Sequence, residues 1–476
     1  MNSVMHIAKS NLPVHQGYAL AVLCLAAFLV PFMGSALNLA LPEIGHTFSM
    51  NAITLTWLAT VYLIPTAVFQ IPFARLGDML GRKKVYIWGV FFYSFCTFLS
   101  GFSPTGSILL ILRFVSGVGS AMIFGSNIAI LTSLFPSHKR GRVLGINTAV
   151  VYFSIAAGPF LGGLLTHYLG WRSIFLLCGG IGFITVILIK LVLKTEWIVS
   201  KEEKFDYTGT LFYGVGLFGL IYGFINLSHL FGVIWLGIGV ITFAVFIFHE
   251  QKCRFPIFNL RLFSRNRVFA LSSVAALINY AATSAIGFML SLYLQYVRGF
   301  DVRHAGFILI TQAVVQAVFS LVAGRWSNKI HPSHLATTGM VIIVCGLAGL
   351  VFVSTTTPIV FIIFCLLLMG VGFGLFASPN TNVIMSSVEH RYYGQASATT
   401  GTMRLTGQAF SMGIAGMAIS LQMGTKQIVP ELFQQFMQSM RITFFIFIAL
   451  CIIGVYASSV RMKKKRQSLC RSEIID

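Results

Sequence analysis

Apolar residues in this chain run in stretches of about twenty, separated by short turns rich in Gly, Pro, Lys and Arg. Wound as helix, a stretch of that length matches the hydrocarbon thickness of a bilayer. The pattern predicts fourteen spans, at 18–41, 54–73, 85–103, 107–130, 143–168, 172–194, 207–227, 230–249, 268–292, 305–324, 336–354, 357–378, 396–420 and 441–460. The seventh and eighth lie closest together. An even number of crossings puts both termini on one side. The first run is of spanning length and has no small-residue cleavage site, so it reads as a span and not as a cleavable leader. The expected class is an all-α membrane protein.

Composition supports that class. The chain is 57% hydrophobic and 9% charged, which leaves little room for a water-soluble fold. A net charge of +21 would point to nucleic acid in a soluble chain. Here the basic residues fall in short loops and read as orientation signals and as contacts to anionic headgroups, so no nucleic-acid partner is expected. With the even-numbered loops and both termini in the cytoplasm, 26 of the 33 Lys and Arg are cytoplasmic. Arg172, Arg298, Arg303, Lys426 and Arg441 fall outside or at outer edges, and Arg113 and Arg404 lie within spans. The run Arg461-Met-Lys-Lys-Lys-Arg466 is the strongest anchor. The expected location is therefore the cytoplasmic membrane. The eight cysteines lie mostly inside apolar runs and read as small buried hydrophobes; no pair shows metal-ligand spacing, and neither metal nor cofactor is expected.

Two polar tracts divide the chain. Lys201, Glu202, Glu203 and Lys204 mark a break within 195–205, and a second basic tract occupies 250–267. The predicted organisation is a six-helix bundle over 1–194, a linker with two extra helices over 195–267, a second six-helix bundle over 268–460 and a basic tail over 461–476.

The turn Ala74-Arg-Leu-Gly-Asp-Met-Leu-Gly-Arg-Lys-Lys84 carries the clearest motif. Two glycines allow a sharp turn, and Asp78 is one of only 12 acids in the chain. The segment resembles the loop between the second and third spans of major facilitator superfamily transporters, with Ala74 where a Gly is usual. The resemblance implies a gate hinge built from Gly77, Asp78, Gly81 and Arg82. In the fifth span, Ala157-Gly-Pro-Phe-Leu-Gly-Gly163 is similar to the antiporter motif of drug:proton exporters. Gly158, Gly162 and Gly163 allow close helix approach and Pro159 favours a kink; the resemblance implies a pliable contact between the two bundles. Arg113, in Arg-Phe-Val-Ser-Gly117, resembles an Arg-x-x-x-Gly motif tied to proton transfer. An intramembrane guanidinium is costly unless paired, and the alternative is that Arg113 snorkels outward. Arg404 is either a conformational latch or an anchor. Six plus two plus six spans is the plan of the fourteen-span branch of the drug:proton antiporters. That resemblance implies the major facilitator fold, inverted repeats and a site near the midplane between the bundles.

One departure bears on chemistry. All twelve acids lie in loops, termini or span ends, and Met33 stands where many relatives carry an Asp before Asn38-Leu-Ala-Leu-Pro42. Without an embedded carboxylate, the proton-coupling candidates are Arg113, Glu43 and Asp206, with Glu43 alternatively a solvated outer-loop acid. The predicted cavity is lined by amides and aromatics: Asn38, Tyr62, Asn127, Tyr152, Asn279, Tyr280, Gln312 and Gln316. Such a lining suits a neutral or zwitterionic, partly aromatic small molecule.

The expected function is proton-coupled efflux of amphipathic small molecules by a monomer. Uptake of an aromatic nutrient such as riboflavin is the rival within transport. A membrane enzyme would need convergent acid, base or metal ligands at depth, and a receptor would be expected to carry a signalling domain; the sequence displays neither.

Overall fold

A computed structural model describes residues 16–199, 203–227, 229–253, 255–258, 260–327, 330, 332–389, 393–424 and 426–472. Lys201 and Glu202 of the connecting tract, and residues 1–15 and 473–476 of the terminal segments, lie outside the described residues.

Helix accounts for nearly all of the described chain, and no strand occurs among the described residues. The first seven helices are α1 (Gln16–Phe48), α2 (Ala52–Thr60), α3 (Leu63–Leu80), α4 (Arg82–Ser100), α5 (Gly106–Leu134), α6 (Ser137–Leu169) and α7 (Arg172–Val192). A hairpin follows, α8 (Tyr207–Ile225) and α9 (Leu230–Lys252), then the short α10 (Arg261–Arg265). The remainder is α11 (Arg267–Ala281), α12 (Ile286–Leu292) with a π-helical turn at Tyr293–Val297, α13 (Val302–Trp326), α14 (Pro332–Val351), α15 (Ile359–Ser386), α16 (Tyr393–Met423) and α17 (Phe433–Ser472).

Each of the fourteen predicted segments falls on one helix or on two consecutive ones. Twelve helical segments among the described residues are long and apolar enough to cross a membrane. The two predicted segments outside that set are α4, which opens on Arg82, Lys83 and Lys84, and α16, which carries Gln395, Arg404 and Gln408 among its apolar positions.

Two predicted spans are broken. The second divides at Val61–Tyr62. Pro65 has no N–H to give the Val61 carbonyl, while the Tyr62 carbonyl accepts from both the Thr66 N–H at 3.2 Å and the Thr66 hydroxyl at 2.6 Å. The ninth divides at 282–285, where the Ala285 N–H donates to Ser411 Oγ on α16 at 2.9 Å. The last helix also overruns its predicted span, beginning at Phe433 and continuing past 460.

The same packing pattern occurs twice. α4 packs on α5 and α7, as α14 packs on α15 and α17; α3 packs on α5 as α13 packs on α15; α1 packs on α6 and α7 as α11 packs on α16 and α17. The two sets meet chiefly where α6 lies along α13 and α3 along α16. The α8–α9 hairpin attaches to the side of this assembly through α3 and α16, with the Tyr213 hydroxyl donating to the Ala67 carbonyl at 3.3 Å. Only 17% of the α9 apolar window is buried, against 67% for α2–α3. The exposed Phe231, Ile234, Ile241 and Phe248 of α9 are those of a helix whose outer face meets hydrocarbon.

Candidate functional site

Where the two sets of helices meet, the structure gathers arginine and tyrosine. Arg113 on α5 is 2% exposed, and its Cζ lies 4.4 Å from the centre of the Tyr62 ring. Its Nε and Nη2 are buried with no hydrogen-bond partner. Each unmet donor costs about 1–3 kcal/mol in a dry interior, and cation–π attraction to Tyr62 offsets about 2 kcal/mol when desolvated. The snorkelling alternative for Arg113 is overturned: the guanidinium turns into the protein, against Tyr62. Arg404 on α16 stacks at 5.3 Å from Phe124 of α5 and lies within electrostatic reach of Tyr62 and Tyr152. Tyr152 on α6 lies within electrostatic reach of Tyr280 on α11. Residues from α3, α5, α6, α11 and α16 thus converge on one region.

The other cavity candidates divide. Asn127 is committed elsewhere: its Oδ1 accepts from the Tyr86 hydroxyl at 3.1 Å and its Nδ2 donates to Asn147 Oδ1 at 2.9 Å, so it joins α4, α5 and α6 rather than offering free groups to a cavity. Asn38 is half-buried, and its carbonyl accepts from Ser291 Oγ at 2.8 Å. Asn279 is fully buried with both amide atoms unpartnered. Gln312 and Gln316 are half-buried, four apart on α13. Sequence reasoning passed over Gln70, which is 2% exposed with an unpartnered Oε1 and faces Gly401 of α16. A lone amide within a predicted span was the available signal.

The α3–α4 turn is a knot of charge. Arg82 donates from Nε to Asp78 Oδ1 at 2.7 Å, and from Nη1 to the Ala129 carbonyl at 3.1 Å and to Ser133 Oγ at 2.6 Å. The planar fork therefore joins the end of α3 to the last turn of α5, where exposed carbonyls attract a cation. Gly81 has φ +117°, a conformation that only glycine adopts without strain. Residues 196–199 of the 195–205 tract, which reads from the sequence only as a break, lie against this turn as a strap. Val199 N–H donates to the Asp78 carbonyl at 2.8 Å, Arg82 N–H to the Trp197 carbonyl at 3.0 Å, and Lys83 N–H to Glu196 Oε1 at 2.9 Å. Arg75 and Glu203 form an ion pair alongside.

The α6 glycines serve two contacts. A Cβ on Gly158 would stand 2.5 Å from Ser35 Cβ, and one on Gly162 2.6 Å from Ala36 Cβ, both on α1. On the adjoining face a Cβ on Gly163 would stand 3.0 Å from the Val302 carbonyl, and one on Gly306 2.5 Å from the Pro159 carbonyl. Pro159 also leaves the Ile155 carbonyl without its helix donor, and Ser35 Oγ supplies one at 2.9 Å.

The acids lie away from the centre. Glu43 sits beside the Gly170–Trp171 turn between α6 and α7. Asp301 caps α13 by accepting from the His304 N–H at 2.9 Å, and faces His167 of α6 at 3.7 Å. Burial alone would push its carboxyl up, but the His304 backbone and ring and the Arg303 charge outweigh that and hold it below the usual carboxylate range. Asp206 caps α8 through Gly209 N–H at 2.8 Å and lies 3.0 Å from His249 Nε2. Beside it a cavity of about 1050 Å³ opens between the hairpin, α11 and α16, walled by Phe243, Phe246, Phe258 and Phe410 and bordered by Glu250. That cavity is lateral, and none of the cavity residues predicted from sequence lines it.

The profile of the Major Facilitator Superfamily matches residues 23–412. The riboflavin transporter RibZ of Clostridioides difficile (strain 630) is 25% identical over 451 residues, covering 94% of this chain and 98% of its own length. The methylenomycin A resistance protein of Bacillus subtilis (strain 168) is 27% identical, covering 84% of this chain and 87% of its own. The multidrug resistance protein Stp of Mycobacterium tuberculosis is 27% identical, covering 83% of this chain and 74% of its own. Among solved structures, a bacterial homologue of the human lysosomal transporter Spinster superposes with a TM-score of 0.67 at 16% identity, covering 94% of this chain and 97% of that one. With the profile matching most of the chain and a helical assembly of the same kind, this protein belongs to the Major Facilitator Superfamily and is a multi-pass membrane transporter, not an enzyme.

Proposed function

We propose that this transporter is a fourteen-span, proton-coupled exporter of small amphipathic molecules, working as a monomer by alternating access in the cytoplasmic membrane. The proposed division is two six-helix bundles over 1–194 and 268–460 flanking the α8–α9 hairpin, with both termini cytoplasmic. The repeated packing pattern, and the fall of 26 of the 33 Lys and Arg in the even-numbered loops and termini of the fourteen-span reading, support it.

The observation that carries the substrate reading is the centre formed by buried Arg113 with half-buried Tyr62, Arg404, Tyr152 and Tyr280. It offers aromatic faces, hydroxyls and unmet N–H donors, with no carboxylate to balance a fixed cation. A neutral or zwitterionic, partly aromatic molecule fits those groups. Of the three proton-coupling candidates, Arg113 is the one at this centre, and the reading gives it the fixed positive charge of the coupling site. The likeness to resistance proteins favours export.

Uptake of a riboflavin-like nutrient is the second reading. It is favoured by the likeness to RibZ along almost the full length of both chains and by the absence of an embedded acid. Proteoliposomes with an imposed pH gradient, loaded with dyes, antibiotics or vitamins, decide between the two. Export predicts flux of drug-like substrates against the proton gradient. Flux of riboflavin alone, indifferent to the pH gradient, overturns it.

A further inference from the structure

His249 and Cys253 stand outside the transport reading, and Asp206 enters it only as a coupling candidate away from the centre, yet the fold brings the three together. His249 lies in the last turn of α9, and Cys253, the residue that follows the helix, donates its N–H to the His249 carbonyl at 3.0 Å. Asp206 precedes α8 and caps it. The two helices pack very closely: a Cβ on Gly219 would stand 2.8 Å from Gly239 Cα, and one on Gly223 2.4 Å from Leu236 N. Close antiparallel packing brings the start of α8 to the end of α9. As a result a carboxylate oxygen, a ring nitrogen and Cys253 Sγ all lie within 4.8 Å of one another.

We propose that Asp206, His249 and Cys253 bind a divalent cation of the zinc class, stapling the α8–α9 hairpin at the wall of the lateral cavity. One oxygen, one imidazole nitrogen and one thiolate make a mixed donor set that suits Zn²⁺, and atoms already within 4.8 Å of one another need only small side-chain shifts to sit about 2.0–2.3 Å from one metal. An independent feature points the same way. Glu250 is 4% exposed; its Oε1 accepts from Phe258 N–H at 2.9 Å, while its Oε2 is buried without a partner. It interacts electrostatically with Asp206, His249 and Cys253. A buried, unpartnered carboxyl oxygen one residue from a ligand is a polar group that a bound cation or its water would satisfy.

The test uses the purified full-length protein in detergent, freed of metal with chelator and of any affinity tag. Co²⁺ is titrated while thiolate-to-cobalt absorption in the near ultraviolet is recorded. The expected result is one Co²⁺ per chain, displaced by Zn²⁺. Cys253→Ser should abolish the band, His249→Gln and Asp206→Asn should weaken binding at least tenfold, and Cys345→Ser should change nothing. A second measurement needs no variant: Zn²⁺ should slow maleimide labelling of Cys253 at least tenfold while the exposed Cys345 labels at its ordinary rate. Absence of the band, a band that survives Cys253→Ser, or Cys253 labelling unchanged by Zn²⁺ would each overturn the site and leave Asp206 and His249 as a helix-capping pair.

Discussion

Arg113 lies over the ring of Tyr62 at 4.4 Å, with Nε and Nη2 buried and unpartnered. The ring face attracts the guanidinium without using its donors, so the pair holds a positive charge at the centre of the protein while its N–H groups stay open. Arg113→Gln should reduce transport at least about tenfold and flatten its dependence on the pH gradient, because the fixed charge is lost. Tyr62→Phe keeps the ring face and should retain most activity. Initial rates against imposed pH gradient, normalised to membrane-inserted protein, check both. A Gln variant with unaltered rate and pH dependence would exclude Arg113 from coupling.

Asp78→Asn should lower transport by roughly an order of magnitude with normal insertion, because Arg82 then lacks the charge that positions its fork. Arg82→Lys should do nearly as much harm, since an ammonium cannot reach Asp78, Ala129 and Ser133 together. Wild-type turnover in either variant removes the gate role from this turn.

Gly158→Leu, Gly162→Leu and Gly306→Leu should each cut transport about tenfold or more, because even a Cβ falls within 2.5–2.6 Å of a neighbouring atom. Gly145→Leu is the control, since a Cβ there meets nothing within 4 Å. Full activity in all three test variants would mean that α6 does not depend on close packing.

The Asp301 carboxyl is held below its ordinary value, so its stabilising contribution is present above the usual carboxylate pKa of about 4 and is lost as pH falls through the lower folded value. Asp301→Ala should lower thermal stability in detergent at neutral pH by about 1 kcal/mol, the usual worth of a helix cap. The gap to wild type should close as the medium is acidified below about pH 4. A gap that stays constant down to pH 3 would show that the carboxylate charge is not the source.

If the centre lacks a balancing carboxylate, permanent monovalent cations should be poor substrates. Ethidium-like dyes should be transported at a small fraction of the rate of neutral or zwitterionic aromatics of similar size, roughly a tenth or less. Rapid pH-driven transport of such dyes would show that an acid outside the centre serves the site.

The helical class, the placement of the helical segments along the chain and the family were legible in the sequence, although α1, α15 and α17 run well past their predicted ends. Long apolar runs, basic loops and the two glycine motifs are local signals, and a bilayer permits few alternatives to a helix once a run is long enough. The small residues at 158, 162 and 163 forecast close packing, because absent side chains matter only where another backbone approaches.

Tertiary structure decided the partners. Asn127 and Tyr152 both read as polar residues at plausible depth, yet Asn127 is spent on Tyr86 and Asn147 while Tyr152 reaches the centre and Tyr280. Helical periodicity places a side chain on a face but does not say which of several neighbouring helices covers that face. The strap of Glu196 and Trp197 over the α3–α4 turn joins residues more than a hundred positions apart, and Asp206 meets His249 only because glycines let α8 and α9 touch. Composition and periodicity are properties of neighbours along the chain; hydrogen-bond partners and ligand clusters are properties of neighbours in space, and only the packed helices bring those together.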